Sequence, residues 1–264
     1  WLILIAYLVG LSIGVHLLNL LCIPAIVLVA YFKKHPDANW KGILLALIVS
    51  AVLVAIVLYG IVPGVVKVGG WFELLFVNVL GMPYNSGVVV YLLLLFGTLI
   101  TGIIFSAKGR KQSTIAWVFT LSVALLGIPF YGNSLLMSLL IGAVVLYAVY
   151  KIATYYADSA KKFLISLRAF NTMFLCMLMI MVGYASYALI VIRSSANTPM
   201  DQNSPEDIFT LGSYLNREQY GTRPLFYGQH FASKVKFEEN GEPAQDEGAP
   251  TYIKTEDGEY ERLK

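Results

Sequence analysis

Charge is what this sequence has least of. Asp, Glu, Lys and Arg make up 13% of its 264 residues, against roughly 25% in an ordinary soluble domain. With 58% of residues hydrophobic and a mean hydropathy of +0.69, too little polar side chain remains to clothe a water-facing surface. The same composition excludes a disordered chain. Cysteine is nearly missing too. Cys22 and Cys176 both stand inside apolar runs, so a structural disulfide is not expected and a thiolate metal site lacks ligands. The chain has no P-loop, dinucleotide glycine fingerprint, zinc spacing or Gly-x-Ser-x-Gly elbow. No cofactor is therefore implied, a divalent metal stays open without an assigned place, and nucleic acid is not expected as a partner. The chain begins with Trp1 inside an apolar run, with no charged segment ahead of it. That start reads as the interior of a longer protein, not as a native N-terminus or a signal peptide.

The few charges are unevenly placed. Residues 1–192 hold 11 Lys/Arg against three acids, Asp37, Glu73 and Asp158, whereas residues 193–264 hold 8 against 13. The net is +8, then −5, which divides the chain into a membrane body (1–192) and an acidic, water-soluble tail (193–264).

A helix needs about 20 apolar residues to cross the hydrocarbon. Residues 1–32 run without a charge, too long for one upright span, and Gly10, Ser12 and Gly14 suggest a turn between two short helices in a hairpin. Further spans are predicted at 42–62, 87–106, 115–131, 134–152 and 170–192, giving an all-α polytopic membrane protein with about seven transmembrane helices. Short loops rich in Lys/Arg stay on the cytoplasmic side. Lys33, Lys34 and Lys41 fall in one loop, Lys108, Arg110 and Lys111 in a second, and Lys151, Lys161, Lys162 and Arg168 in a third. Alternating spans put all three on the same face, so the acidic tail is expected to be extracytoplasmic.

The outward stretch 63–87 is apolar but punctuated by Gly and Pro. Trp71, Phe72, Leu75, Phe76 and Val79 recur at helical spacing there, which predicts a short interfacial helix over 70–80. In the tail, Ser204 reads as an N-cap with Pro205 at the first helical position and Asp207 near the positive end. Ile208, Leu211 and Leu215 share a face as far as Tyr220, where Gly221 supplies a stop. Beyond Pro224 the apolar residues are sparse, and short strands or loops are expected that need further sequence to pack against.

Candidate chemistry rests on single polar residues where lipid normally forbids them. His16 and Asn19, three residues apart, share a helix face near the outer membrane surface, and intramembrane polar groups tend to mark functional interiors. Hydrogen bonding between neighbouring helices explains them equally well. Glu73 is either a base or substrate contact at the membrane surface or simply the solvated face of the interfacial helix. Lys67 and Arg193 lie near the outer headgroup layer and suit a lipid phosphate, as a donor site or as ordinary membrane anchoring. Trp71, Tyr84 and Tyr131 read as an interfacial belt, and His230 as a surface histidine.

Two stretches together carry a family likeness. Gly10-Leu-Ser-Ile-Gly-Val-His-Leu-Leu-Asn-Leu-Leu-Cys-Ile-Pro24, and Asn197-Thr-Pro-Met-Asp-Gln-Asn-Ser-Pro205 followed by Tyr214-Leu-Asn-Arg-Glu-Gln-Tyr-Gly221, resemble the large multispan proteins of glycosyltransferase family 117. These are relatives of protein O-mannosyltransferases with a GT-C type membrane fold, abundant in Bacteroidota-like bacteria. The resemblance implies a bacterial inner-membrane protein with its tail in the periplasm. It implies transfer of a mannose-like sugar from a polyprenyl-phosphate donor to a protein Ser/Thr or other hydroxyl at the outer face. An acidic residue would be the general base and cationic groups would stabilise the departing phosphate. That acid, in such enzymes, lies in an early outward loop, upstream of Trp1, so the catalytic residue is unknown and the isolated chain is expected to be inactive. His16 and Asn19 take on a donor-binding or cavity-lining role by the resemblance. Two other classes remain open from the residues alone: a transporter or lipid flippase, and a membrane anchor whose tail binds partners.

Overall fold

In the computed structural model the described residues are 1–132, 134–156, 163–196, 198–201, 203–216, 228, 230–234, 236–237, 241 and 250–263. Lys161 and Lys162 of the third basic loop, Tyr220 and Gly221 lie outside them.

The helices in chain order are α1 (Leu2–Val15), α2 (Cys22–Lys34), α3 (Trp40–Ala55), α4 (Val62–Leu74), α5 (Ser86–Ala107), α6 (Gln112–Leu125), α7 (Leu135–Ala153), α8 (Leu167–Tyr184), α9 (Tyr187–Ser194) and α10 (Ile208–Asn216). Two strands, β1 (Thr251–Lys254) and β2 (Tyr260–Leu263), form an antiparallel pair. Among the described residues five continuous helical stretches are long and apolar enough to cross a membrane: Leu17–Lys34, Trp40–Val79, Ser86–Ala107, Leu135–Ala153 and Leu167–Ser194; Leu2–Val15 and Gln112–Leu125 are shorter apolar helices. Large apolar side chains point outward along them, with Leu93, Val144 and Leu189 each about 70% exposed. A surface of that kind is stable only against hydrocarbon, so the chain is an all-α polytopic membrane protein.

The core forms where α5 and α8 meet. Tyr91, Leu95, Leu99, Phe170 and Phe174 are fully buried there, and Gly102 leaves room for the Phe174 ring. Asn171 donates to the Ile103 carbonyl and to Ser106 Oγ, both at 3.0 Å, which satisfies a polar side chain inside the bundle. At the end of the bundle where the basic loops gather, Gln112 donates to the carbonyls of Ala153 and Ile165. It thereby ties the start of α6 to the end of α7 and the approach to α8.

Several element boundaries differ from the sequence expectation, each for a local reason. Gly10, Ser12 and Gly14 do not form a turn; they lie within α1. The two glycines instead permit a close helix crossing, since a Cβ on Gly10 would overlap the Ile180 carbonyl and one on Gly183 would overlap the α1 backbone. Contacts of Gly10 with Ile180, Gly14 with Ser186 and Tyr187 with Ile13 make α1 and α8 parallel. The chain breaks later, at His16, whose φ of −163° and ψ of 124° interrupt the helix before a 3₁₀ turn at Leu17–Leu21. After this break the two short helices separate, α1 packing on α8 and α2 on α3.

Pro63 does not end a span. Helix persists from Trp40 to Val79 through a π-helical stretch at Ile56–Ile61. Proline gives no N–H and crowds the preceding turn; the widened π turn directly before it absorbs both, with the Val62 N–H bonding to the Val57 carbonyl five residues back. The predicted interfacial helix is therefore the second half of this long helix, closed by a second π-helical turn at Leu75–Val79. Its Gly69, Gly70, Glu73 and Val77 are buried, packed against α5 and α10, so it does not lie free in the headgroup layer. Helix α6 ends at Leu125, before the predicted 131, where Gly127 takes a φ of +73° against Gly64. The last span is divided at Ala185–Ser186 into α8 and α9.

Candidate functional site

His16 and Asn19 stand together, as the spacing predicts, but at a helix break and not on a continuous helix. Both are exposed. His16 Nδ1 accepts from the Leu18 N–H at 3.1 Å, and the Asn19 N–H bonds to the His16 carbonyl at 3.0 Å. The imidazole thus caps the 3₁₀ turn with one nitrogen and leaves the other outward. Neither side chain hydrogen-bonds another helix among the described residues.

Glu73 is neither solvated nor facing lipid; it is completely buried. Its oxygens accept from the backbone N–H groups of Asn85 and Val88 at the start of α5, and Tyr260 Oη donates to it at 3.3 Å. Gly87 has no Cβ, so the start of α5 can abut the Glu73 backbone, while Asn85 takes a left-handed φ of 69°. An acidic side chain on free helical N–H groups satisfies donors that otherwise lack partners. Glu73 is therefore a tether between α4 and α5.

The tail docks on this same region. Asn78 donates to the Tyr260 carbonyl at 2.7 Å and accepts from the Tyr260 N–H at 2.9 Å. Tyr84 Oη lies 2.9 Å from the Thr255 carbonyl and 3.0 Å from that of Glu259. The Phe209 ring packs on Tyr252 and Tyr260, and Lys254 pairs with Asp207 at 3.4 Å. Burial first, then the negative charges of Asp207 and Glu73, push the Tyr260 phenol above its ordinary range. The hairpin thus packs on this chain's own helices, where the sequence pointed to a need for further residues. Helix α10 is capped by Asp207 and not Ser204: Asp207 Oδ1 accepts from the N–H groups of Phe209 and Thr210 at 2.9 and 3.0 Å.

Beside the docked hairpin lies a cavity of about 750 Å³. Helix α4, the loop before α7, α10 and both strands line it, and among the described residues Lys67 and Arg262 are its cations. Lys67 Nζ donates to Gly132 O at 2.6 Å, Ser138 Oγ at 2.7 Å and Phe130 O at 3.4 Å. It therefore latches the α6–α7 connection to α4. Arg193 is apart from this cluster, exposed in the last turn of α9. Of the three belt aromatics, Tyr131 is exposed, while Trp71 packs on Phe130 and Tyr84 holds the hairpin. His230 is exposed, and its Nδ1 accepts from the Ala232 N–H. No cluster of three potential metal ligands occurs among the described residues.

Sequence reasoning missed Asn78, Tyr260 and Arg262. The signal for Asn78 is a lone amide in Phe-Val-Asn-Val-Leu; for the strands it is Asp257-Gly258, a hairpin turn signal, between short runs containing Tyr252, Ile253 and Tyr260.

A polytopic helical membrane protein with a polar site at one end of its bundle is the class that this geometry defines. Residues 1–39, spanning α1, the 3₁₀ turn and α2, match the family model for the protein O-mannosyl-transferase TMEM260 N-terminal domain. The chain is thus O-mannosyltransferase-like in the segment that carries His16 and Asn19. No curated protein and no solved structure matches the chain.

Proposed function

We propose that the chain takes part in membrane-embedded glycosyl transfer of the GT-C type, at the extracytoplasmic face. A mannose-like sugar would pass from a polyprenyl-phosphate donor held in the bilayer to a Ser/Thr or other hydroxyl. The similarity of residues 1–39 to an O-mannosyltransferase N-terminal domain carries this reading. A relation to glycosyltransferase family 117, a bacterial inner membrane and a periplasmic tail belong to the same proposal.

His16 and Asn19 support it by their placement. Both are exposed at a break in an apolar helix, where a donor's phosphate or sugar can reach an imidazole and an amide without first breaking an interhelical bond. Arg193 is an exposed cation whose guanidinium suits a lipid phosphate. Lys67 and Glu73 contribute by holding the outer ends of α4, α5 and α7 together. No residue is assigned as the base.

The test is mannose transfer from polyprenyl-phosphate mannose to a Ser/Thr-rich acceptor in membranes containing the protein in its complete reading frame. Donor-dependent transfer that falls on His16→Ala, with protein level unchanged, supports the reading. Absence of transfer with several polyprenyl-phosphate sugars contradicts it.

A further inference from the structure

The cavity next to the hairpin has an uneven charge. Among the described residues Lys67 and Arg262 line it, and no carboxylate does. Among the described residues neither cation meets an acid within 4 Å, since the only pairs found there are those of Lys254 with Glu206 and Asp207. Strand alternation places Arg262 on the same face as Tyr260, which is buried against the body, and opposite Tyr252 across the ladder. Glu261 faces the other way. Arg262 is exposed and also lines the cavity, so its side chain stands at the cavity's solvent-facing edge.

The two cations differ in what they offer. The Lys67 ammonium spends its donors on Phe130, Gly132 and Ser138, so it contributes fixed positive charge and no free N–H. Among the described residues Arg262 has no hydrogen-bond or ion-pair partner, and its planar fork of donors matches phosphate oxygens. Ser134, Ser213 and Thr251 add hydroxyls at the rim, while Pro63, Val66, Trp71 and Leu74 form an apolar wall along α4.

From these features we propose that the cavity is a binding site for a phosphate-bearing anion. Arg262 is its hydrogen-bond donor, Lys67 its fixed counter-charge, and the α4 wall accommodates apolar substance attached to the phosphate. The site does not depend on the sugar-transfer reading: it is separate from His16 and Asn19, and it would hold for any phosphate group of suitable size.

The experiment measures equilibrium binding of fluorescent phosphatidylglycerol and phosphatidylcholine to the whole purified protein in detergent, with sodium phosphate as competitor. Phosphatidylglycerol is expected to bind more tightly than phosphatidylcholine, and Arg262→Gln to weaken it by about tenfold, with Arg262→Lys recovering part of the loss. Displacement by millimolar phosphate identifies the phosphate group alone as the ligand; resistance to it identifies the lipid headgroup with its chains. Equal binding of the two lipids, or Arg262→Gln binding like the wild type, overturns the proposal. Hydrogen exchange of residues 251–263 is followed alongside. Should Arg262→Gln undock the hairpin, Ser213→Asp decides: an acid placed in the cavity from α10 must abolish the preference for phosphatidylglycerol, and a retained preference overturns the proposal.

Discussion

Asn78 and Tyr260, 182 positions apart, exchange two hydrogen bonds: the Asn78 amide donates to the Tyr260 carbonyl and accepts from its N–H. The side chain thus stands in for a neighbouring strand, joining the end of the long Trp40–Val79 helix to β2. Around it, Glu73 and Tyr84 add bonds to Tyr260, Thr255 and Glu259.

Asn78→Ala leaves the N–H and C=O of a buried residue without partners. An unsatisfied buried group costs about 1–3 kcal/mol, so the hairpin is expected to undock at least tenfold more often. Hydrogen exchange of residues 251–263 should accelerate accordingly while that of α5 and α8 stays constant. Unchanged exchange would show that the aromatic contacts of Phe209 suffice.

The Tyr260 phenol predicts an alkaline limit to docking. Its affinity for the proton is raised when docked, while a free tyrosine ionises near pH ~10. Below that pH both states hold the proton, and docking is independent of pH on this account. Above it the undocked state releases a proton that the docked state keeps, so docking weakens as pH rises, by up to about tenfold per pH unit. Cleavage in the turn 255–259 by an alkaline-active protease should rise above that point, and Tyr260→Phe should flatten the rise.

Gly10→Leu and Gly183→Leu test the α1–α8 crossing. Each forces a side chain into backbone of the facing helix, and overpacking of this kind costs about 1–3 kcal/mol or more. Both variants should lower the thermal midpoint in detergent, whereas Gly97→Leu, with open space around its Cβ position, should leave it nearly unchanged.

His16→Ala separates function from stability. The imidazole is exposed and makes a single capping bond, so its loss should cost about 0.5–2 kcal/mol at most. If His16 contacts the donor, turnover or donor affinity falls far more than the thermal midpoint does. Equal kinetics would leave His16 as a cap.

The membrane class and the helical stretches were legible because about 20 apolar residues are needed to cross and few other uses of such runs exist. Local readings failed where a distant partner decides the outcome. Gly10 and Gly14 have the composition of a turn, yet their lack of a Cβ serves the crossing with α8. Pro63 has the chemistry of a helix stop, yet the π turn ahead of it lets helix continue. Glu73 has the charge of a solvated residue, yet the N–H groups of Asn85 and Val88 receive it. His16 and Asn19 stand out in the sequence as polar residues inside an apolar run, and the structure puts them at a helix break. Asn78, Tyr260 and Arg262 do not stand out, because their roles depend on contacts between the body and a tail far away in the chain.

The proposed orientation puts the hairpin, His16 and the cavity beside Lys67 and Arg262 on the extracytoplasmic side, and one labelling measurement tests it directly. In a protein with Cys22 and Cys176 replaced by Ser, a single cysteine is introduced by Glu256→Cys in the exposed hairpin turn or by Asp37→Cys between α2 and α3. With a membrane-impermeant maleimide, position 256 should label from the extracytoplasmic side of intact membranes and position 37 only after permeabilisation. The reverse pattern would put the tail in the cytoplasm and contradict the outer-face site.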